Sequence, residues 1–251
     1  MTALLIDIGN TRVKWARWEK GRMGRQHALA HADWNAKVFE RGVGRAVDEV
    51  VVVSVAGAKM NRLVSRTVRS VFGVAPRFVR SARRLGRVTT RYQEPWRLGT
   101  DRLVAAVGGH HLARGRPVCV VDIGTAMTID LVDARGVHLG GAILPGPSLM
   151  IDSLLQDTSG IQRRAGSVPG SVRRSGTAQF FARDTRAAVE RGARYATAAV
   201  IDRAVVEAKA VLGRAPLVLL TGGAAGGVQG FIRTRHRLVP DLVLRGLAHL
   251  A

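Results

Sequence analysis

The chain has 251 residues and carries 39 Lys and Arg against 18 Asp and Glu, a net charge of +21; 47% of its residues are hydrophobic. That length and composition exclude a disordered chain and allow one large domain or two lobes, each with a proper core. The single cysteine, Cys119, excludes an intrachain disulfide framework and a multi-cysteine zinc site, and it removes any need for an oxidising compartment.

In chain order, Leu5-Ile6-Asp7-Ile8-Gly9-Asn10-Thr11 reads as an apolar strand, an Asp at its end and a tight Gly turn. A second strand and a hairpin turn at 19–21 follow. The spacing then predicts a helix over 34–47, weakened by Gly42 and Gly44, a buried strand over 50–55, a helix over 60–72 and a short strand over 76–79. An Arg-rich segment, 80–91, precedes Gly99-Thr100-Asp101-Arg102 and a helix over 103–112 closed by Gly115, with Thr100 as its N-cap. Val120-Val121-Asp122-Ile123-Gly124-Thr125-Ala126 then repeats the opening motif 115 residues later. At the same offset Val13 meets Thr128, Trp15 meets Asp130 and Gly21 meets Gly136. Helices are predicted over 147–155 and 178–212, separated by an irregular 159–176 that holds a second Arg cluster at 163–174. A strand over 217–220 runs into Thr221-Gly222-Gly223.

Two copies indicate a duplicated lobe, 1–115 and 116–251, where a solenoid would need at least three. Strands alternating with helices after an antiparallel hairpin predict α/β architecture, with a mixed sheet in each lobe. The opening apolar run has no basic flank and stops at Asp7. The longest uncharged stretch, 215–232, is crowded with glycines and reads as a strand and turn, so the expectation is a cytoplasmic protein without a membrane span. Only five of the basic residues are Lys, and the Arg residues are scattered among abundant Ala, Gly and Val. Composition bias and attraction for an anionic substrate account for the charge in preference to nucleic-acid binding, and no aromatic-and-basic stripe is present.

One Asp-x-Gly turn is an ordinary strand-end signal; two in matched contexts, with a third Gly turn after another strand, are not. Glycine lets the backbone approach a ligand and offer N–H groups to phosphate oxygens. Asn10, Thr11 and Thr125 add neutral donors, whereas Asp7 and Asp122 must act through a cation. Two such turns facing across a cleft would hold a nucleoside triphosphate with its Mg²⁺. None of them is a P-loop or a Rossmann fingerprint. Asp101 falls in the first turn of its helix, where the helix dipole alone favours a carboxylate. Beside Arg102 it has a second use: Arg102 can grip an acceptor's carboxylate in bidentate fashion while Asp101 takes a hydroxyl proton.

The three Gly turns resemble the phosphate and adenosine motifs of the acetate and sugar kinase/Hsp70/actin superfamily. More narrowly, DIGNTRVKW (7–15), GTDR (99–102), DIGTAMTID (122–130) and GGAILPG (140–146), in this order and spacing, resemble type III pantothenate kinase over nearly the whole chain. The resemblance implies two ribonuclease H-like (actin-like) lobes with an interlobe cleft, and ATP-dependent phosphorylation of pantothenate to 4′-phosphopantothenate, the first step of coenzyme A biosynthesis. It implies ATP contacts from Asp7, Ile8, Gly9, Asn10, Thr11, Arg12, Val13, Lys14 and Thr125, with Mg²⁺ near Asp7. Asp101 becomes the general base, Tyr92, Gly99, Thr100 and Arg102 bind pantothenate, and Asp122 binds a monovalent cation, K⁺ or NH₄⁺. It also implies a homodimer, with Thr177 reaching pantothenate from the partner subunit and the helical stretch 178–212 available as interface.

Bland readings stay beside several of these: Thr177 as a helix N-cap, Tyr92 as a half-buried loop aromatic, Lys14 as a solvent-facing residue. Adjacent His110 and His111 point apart and make no metal site. Cys119 reads as inert packing, and Trp15, Trp18, Trp34 and Trp96 read as core or hairpin anchors. Two other functions remain open on the same scaffold: a transcriptional regulator like the Bvg accessory factor, and a kinase for another small hydroxy acid.

Overall fold

The computed structural model describes residues 1–44, 46–165 and 180–251. Two compact units emerge: one of Met1–Val120, Asp130–Gly140 and Asp241–Ala251, the other of Val121–Ile129 and Gly141–Pro240.

The first unit is built on β1 (Thr2–Ile8), β2 (Arg12–Glu19), β3 (Arg22–Met23), β4 (His27–Ala30), α1 (Ala36–Val43), β5 (Glu49–Ser54), α2 (Ala58–Phe72) and β6 (Arg77–Phe78). The sheet order is β3-β2-β1-β5-β6, with β4 pairing β2. β1 pairs β2 antiparallel and β5 parallel, so the sheet is mixed. Because β1 and β5 are covered on both faces, they read as near-continuous apolar runs, Leu4-Leu5-Ile6 and Val50-Val51-Val52-Val53, instead of alternating. On one face Leu4, Ile6, Ile8, Val50 and Val52 pack with Phe39, Val64 and Val68 of α1 and α2. Trp15 lies in this core, stacked on His27 at 5.5 Å and tilted against Phe39 at 5.1 Å.

Then come β7 (Arg84–Leu85), β8 (Val88–Thr90), a 3-10 turn (Pro95–Arg97), α3 (Thr100–Ala113), β9 (Val118–Ile123), β10 (Ala126–Val132) and β11 (Val137–Pro145). The chain continues through α4 (Pro147–Asp157), α5 (Ser159–Ala165), α6 (Thr185–Leu212), β12 (Leu217–Thr221), α7 (Ala225–Val228), a second 3-10 turn (Gln229–Phe231), β13 (Arg237–Leu238) and α8 (Leu242–Ala248). A second sheet runs β13-β12-β9-β10-β11-β8-β7 and is also mixed, since β11 and β8 are parallel while β7 and β8 are antiparallel. The architecture is therefore α/β, two mixed sheets flanked by helices. The 115-residue offset carries β1 onto β9 and β2 onto β10 to within about two residues.

In the second unit α6 buries Ala193, Thr197, Ile201, Val205 and Ala208, a stripe at helical spacing, against α4, α5 and α7. Asp184 caps its start by accepting from Ala187 N, and Gly213 in the left-handed region ends it.

Several boundaries differ from expectation for local reasons. The helix expected over 34–47 is Ala36–Val43: the Asn35 side chain accepts from the Lys37 and Val38 N–H groups to start it, and Gly44 ends it. Gly99, not Thr100, is the N-cap of α3. The long helix begins at Thr185 and not at 178, and part of the stretch expected to be irregular is α5. Trp96 is no core anchor; it is 69% exposed, and its neighbour Pro95 is the buried residue of that turn. Cys119 is buried, and burial pushes its thiol up to about 12, consistent with inert packing.

Helices α3 and α8 meet backbone to backbone. A Cβ on Gly246 would overlap the Val104 carbonyl, and one on Gly108 would lie 2.6 Å from the Leu242 oxygen. Gly246→Ala is expected to cost about 1–3 kcal/mol by overpacking, read as a lower urea midpoint with an unchanged m-value.

Candidate active site

In the first unit, β1 ends in a turn closed by Gly9 N donating to Arg12 O at 3.0 Å. Asp7 is buried in the last turn-facing residues of the strand, and Ile8 and Val13 are buried on either side of the turn. Asn10, Thr11 and Arg12 are exposed at its tip. Lys14 sits directly across from Asp7 in the β1–β2 register, so the two share a face of the sheet. A cavity of about 460 Å³ opens beside Asn10, lined also by His31, Gly57, Lys59 and Met60. The start of α2 borders it at Gly57, an N-cap without a side-chain acceptor, so that helix's first N–H groups are available to an anion.

The residues expected to bind the acceptor, Gly99 to Arg102, lie at the start of α3, in the same unit. Gly99 has no Cβ to crowd the Asp101 carboxylate, whose Oδ1 would lie 2.8 Å from one. Asp101 Oδ1 accepts from its neighbour's backbone, Arg102 N, at 2.8 Å. Burial raises the Asp101 carboxyl above its ordinary value and outweighs the lowering by Arg102. Thr100 is the first residue of the helix, and its hydroxyl lies 3.1 Å from Ser81 Oγ, which also donates to Leu98 O. A cavity of about 590 Å³ borders Thr100 and carries Arg62, Arg66, Arg69 and Arg80 on its walls. Four guanidinium groups there raise the local concentration of anions.

Arg102 differs from expectation. Its bidentate fork is turned inward: Nε donates to Asp130 Oδ2 at 3.0 Å and Nη2 to Asp130 Oδ1 at 2.6 Å. Nη1 donates to the Tyr92 hydroxyl at 3.1 Å. Burial alone would lower the guanidinium's pKa, but the Asp130 carboxylate holds it above its ordinary value. Tyr92 is thus no idle loop aromatic. Arg83 shapes the loop that carries it, donating to the Thr90, Tyr92 and Gln93 carbonyls.

The second unit holds the other Gly turn. Gly124 N donates to Ala126 O at 3.0 Å, with Asp122 half-buried and Thr125 exposed. Two distant segments close on this turn. Gly146 N donates to Thr125 O and Ala224 N to Ile123 O, each at 2.9 Å. A Cβ on Gly146 would overlap the Gly124 carbonyl, and one on Gly222 would overlap the Asp122 carboxylate and the Ile123 carbonyl. The GGAILPG and Thr221-Gly222-Gly223 motifs are therefore glycine-dependent because backbones meet there. Thr177 lies outside the described residues.

Among the described residues no three His, Cys, Asp or Glu side chains cluster as a metal site. His110 and His111 do part company: His111 packs on His249 at 3.7 Å, while the His110 ring approaches Gly136. Sequence reasoning missed Asp130, His138, Thr90, Ser81 and Arg83. The signal for Asp130 was present in the repeat, since the copies place Trp15 and Asp130 at equivalent positions and only the second is ionisable.

Solved structures with this fold include the activator of 2-hydroxyisocaproyl-CoA dehydratase from Clostridium difficile with bound ADPNP (TM-score 0.56, 15% identity, covering 100% of this chain and 94% of that one). A protein described as a Baf family transcriptional activator from Campylobacter jejuni is similar at TM-score 0.56 and 20% identity, covering 97% and 94%. These likenesses show the fold, that of actin-like ATPases, and nothing finer. The family model described as type III pantothenate kinase matches residues 3–207. The type III pantothenate kinase of Nitrosococcus oceani is 33% identical over 258 residues, covering 99% of this chain and 93% of that protein. That of Azoarcus sp. is 36% identical over 250 residues, covering 99% and 90%.

Gly222, at φ +93°, tests the packing of the second turn. Gly222→Ala is expected to lower stability by about 1–3 kcal/mol, whereas Gly223→Ala, where a Cβ meets nothing within 4 Å, leaves the melting temperature in place.

With a family model matched over most of its length and relatives above 30% identity covering nearly all of it, the chain belongs to the type III pantothenate kinase family.

Proposed function

We propose that the chain transfers the γ-phosphoryl group of ATP to the primary hydroxyl of pantothenate, giving 4′-phosphopantothenate at the entry to coenzyme A biosynthesis. The observation that carries this reading is the start of α3. There a carboxyl raised by burial, Asp101, sits next to Arg102 and Tyr92, whose polar groups touch each other. Phosphoryl transfer asks mainly for positioning and charge neutralisation, and these residues supply the positioning. Asp101 accepts the hydroxyl proton as the acceptor oxygen attacks. Arg102, Tyr92, Gly99 and Thr100 hold the acceptor, joined by Thr177 of the partner subunit.

The nucleotide is bound by the turn from Asp7 to Lys14 and by Thr125. The exposed Asn10, Thr11 and Arg12 and the nearby Lys14 suit phosphate oxygens, while Asp7 suits a cation shared with them. The donor set fits Mg²⁺ of this kind, because Mg²⁺ in kinases is held by one or two carboxylates plus substrate phosphates and needs no all-protein cage. Bound there, Mg²⁺ neutralises phosphate charge. At the second turn the Asp122 carboxylate with nearby main-chain oxygens offers the hard oxygen ligands that K⁺ or NH₄⁺ takes.

The same reading treats 1–115 and 116–251 as two copies of one lobe, supported by the offset that carries β1 onto β9. It makes the protein a cytoplasmic homodimer. Support for the dimer comes from the second unit, where Phe180, Phe181, Val206 and Val211 expose large apolar side chains on and before α6. Among the described residues no helix is long and apolar enough to cross a membrane. The positive charge serves attraction of two anionic substrates.

The test is ATP-dependent phosphorylation of pantothenate by purified protein. Turnover is expected in K⁺ and is expected to collapse in Na⁺. Asp101→Asn should lower kcat by about a hundredfold or more with the fold intact by circular dichroism. A base works only when ionised, and burial raises this one. The acid limb of kcat/KM should therefore lie above the ordinary carboxylate value of 3.8 and disappear in the variant. Folded protein without turnover on pantothenate overturns the reading.

A further inference from the structure

Behind Arg102 and Tyr92 lies a chain of buried polar groups that the phosphoryl-transfer chemistry does not itself require. Asp130 is 1% exposed and His138 is 1% exposed, both on strands of the second sheet but within the first compact unit. His138 Nε2 lies 2.8 Å from Asp130 Oδ1, and His138 Nδ1 lies 2.9 Å from Thr90 Oγ1. Thr90 Oγ1 in turn accepts the Tyr92 backbone N–H at 3.1 Å. The Tyr92 hydroxyl accepts from Arg102 Nη1, and the remaining Arg102 fork returns to Asp130. The five residues form a closed ring.

Donor and acceptor bookkeeping sets the direction of the bonds around it. A carboxylate only accepts, so His138 Nε2–H donates to Asp130. In that tautomer Nδ1 is an acceptor, so the Thr90 hydroxyl donates its hydrogen to it while its oxygen accepts from Tyr92 N. Asp130 Oδ1 accepts from both His138 and Arg102, and Oδ2 accepts from Arg102 Nε. Three of the five guanidinium N–H groups are thereby occupied. Two remain, one on Nη1 and one on Nη2.

We infer that Thr90, His138 and Asp130 are positioning residues for acceptor capture. They clamp the Arg102 guanidinium and the Tyr92 loop in one geometry, so that the two residual Arg102 donors and the Tyr92 hydroxyl are presented to pantothenate already ordered. A guanidinium has many rotamers and a loop tyrosine has two free torsions; fixing both before binding removes that ordering cost from the substrate's affinity. The three residues act through Arg102 and Tyr92. Their backing is also what a bare ion pair lacks: His138 sets the rotation of the Asp130 carboxylate, and Thr90 links that rotation to the Tyr92 main chain.

This inference rests on the reading that Arg102 and Tyr92 bind the acceptor, and its test separates the two. The chain has only two tyrosines, Tyr92 and Tyr195. Protein labelled with 3-fluorotyrosine gives two ¹⁹F resonances, and Tyr92→Phe identifies one of them. In Thr90→Val and His138→Ala the Tyr92 resonance is expected to shift or broaden while that of Tyr195 stays. In steady-state kinetics the same variants are expected to raise the pantothenate KM about tenfold or more, the effect of losing a hydrogen bond to a charged group or its support. The ATP KM should stay within twofold. His138→Gln, which keeps an N–H where Nε2 was, should recover most of the loss. Asp130→Asn strips the buried guanidinium of its counter-charge and should be the most damaging; if it does not fold, the near-isosteric Thr90→Val carries the test.

A Tyr92 resonance unmoved in Thr90→Val and His138→Ala overturns the clamp. A moved resonance with both KM values unchanged overturns its role in acceptor capture. Parent protein that fails to phosphorylate pantothenate overturns the function instead, and the ¹⁹F spectra still decide whether the ring orders Tyr92.

Discussion

A guanidinium stays charged at any accessible pH, so burying one obliges the fold to bury an anion with it. Arg102 and Asp130 are 7% and 1% exposed and meet through a two-point fork. Their mutual attraction repays the desolvation of both only because the geometry is good and the spare lone pair of Asp130 is taken by His138. Removing one partner of such a pair costs about 3–5 kcal/mol, since a lone buried charge is left behind. The start of α3 is thereby tied to β10 and cannot drift. That bond also sets the chemistry next door. Were Arg102 to spend its charge on Asp101, the carboxyl would be held low. With Asp130 taking the fork, burial dominates at Asp101 and raises it.

The second recurring constraint is close approach of backbones. α3 and α8 touch through Gly108 and Gly246, and the turn at Asp122 is closed upon by Gly146 and Gly222. Glycine in a helix sacrifices about 1 kcal/mol relative to alanine, so its presence in two packed helices marks contact that no side chain can occupy. At the Asp122 turn the gain is different. Main-chain N–H groups of Gly146 and Ala224 reach the carbonyls of the turn and hold its shape without covering Thr125.

The large positive charge divides among several uses. Arg17, Arg77 and Arg83 donate to main-chain carbonyls and act as struts between segments. Arg102 is neutralised in the core. Arg62, Arg66, Arg69 and Arg80 instead line the cavity beside Thr100, where the cations face an anion-accessible space. A net charge by itself therefore overstates how much of it is offered to ligands.

Most of the architecture was legible from periodicity and repetition. β1, β5 and β12 are short apolar runs bounded by turn residues, and the 115-residue repeat marked β9 and β10 in advance. The Asp-x-Gly turns and the adjacent Asp101 and Arg102 at a helix start were legible as local patterns, because turns and helix starts need particular residue types at fixed local spacing. Two-residue strands such as β7 and β13, and the short α7 and α8, carry too little pattern to be seen; they exist because neighbouring elements pair with or cover them. The direction of the Arg102 fork was also out of reach. It depends on Asp130, His138 and Thr90, which lie up to 48 residues apart in sequence and meet only when β8, β10 and β11 are laid side by side. Local spacing thus determined which residues could do chemistry. Which of them face outward, and which are consumed in holding the others still, was decided by tertiary packing, because a buried charge takes its partner from whatever the fold brings within reach.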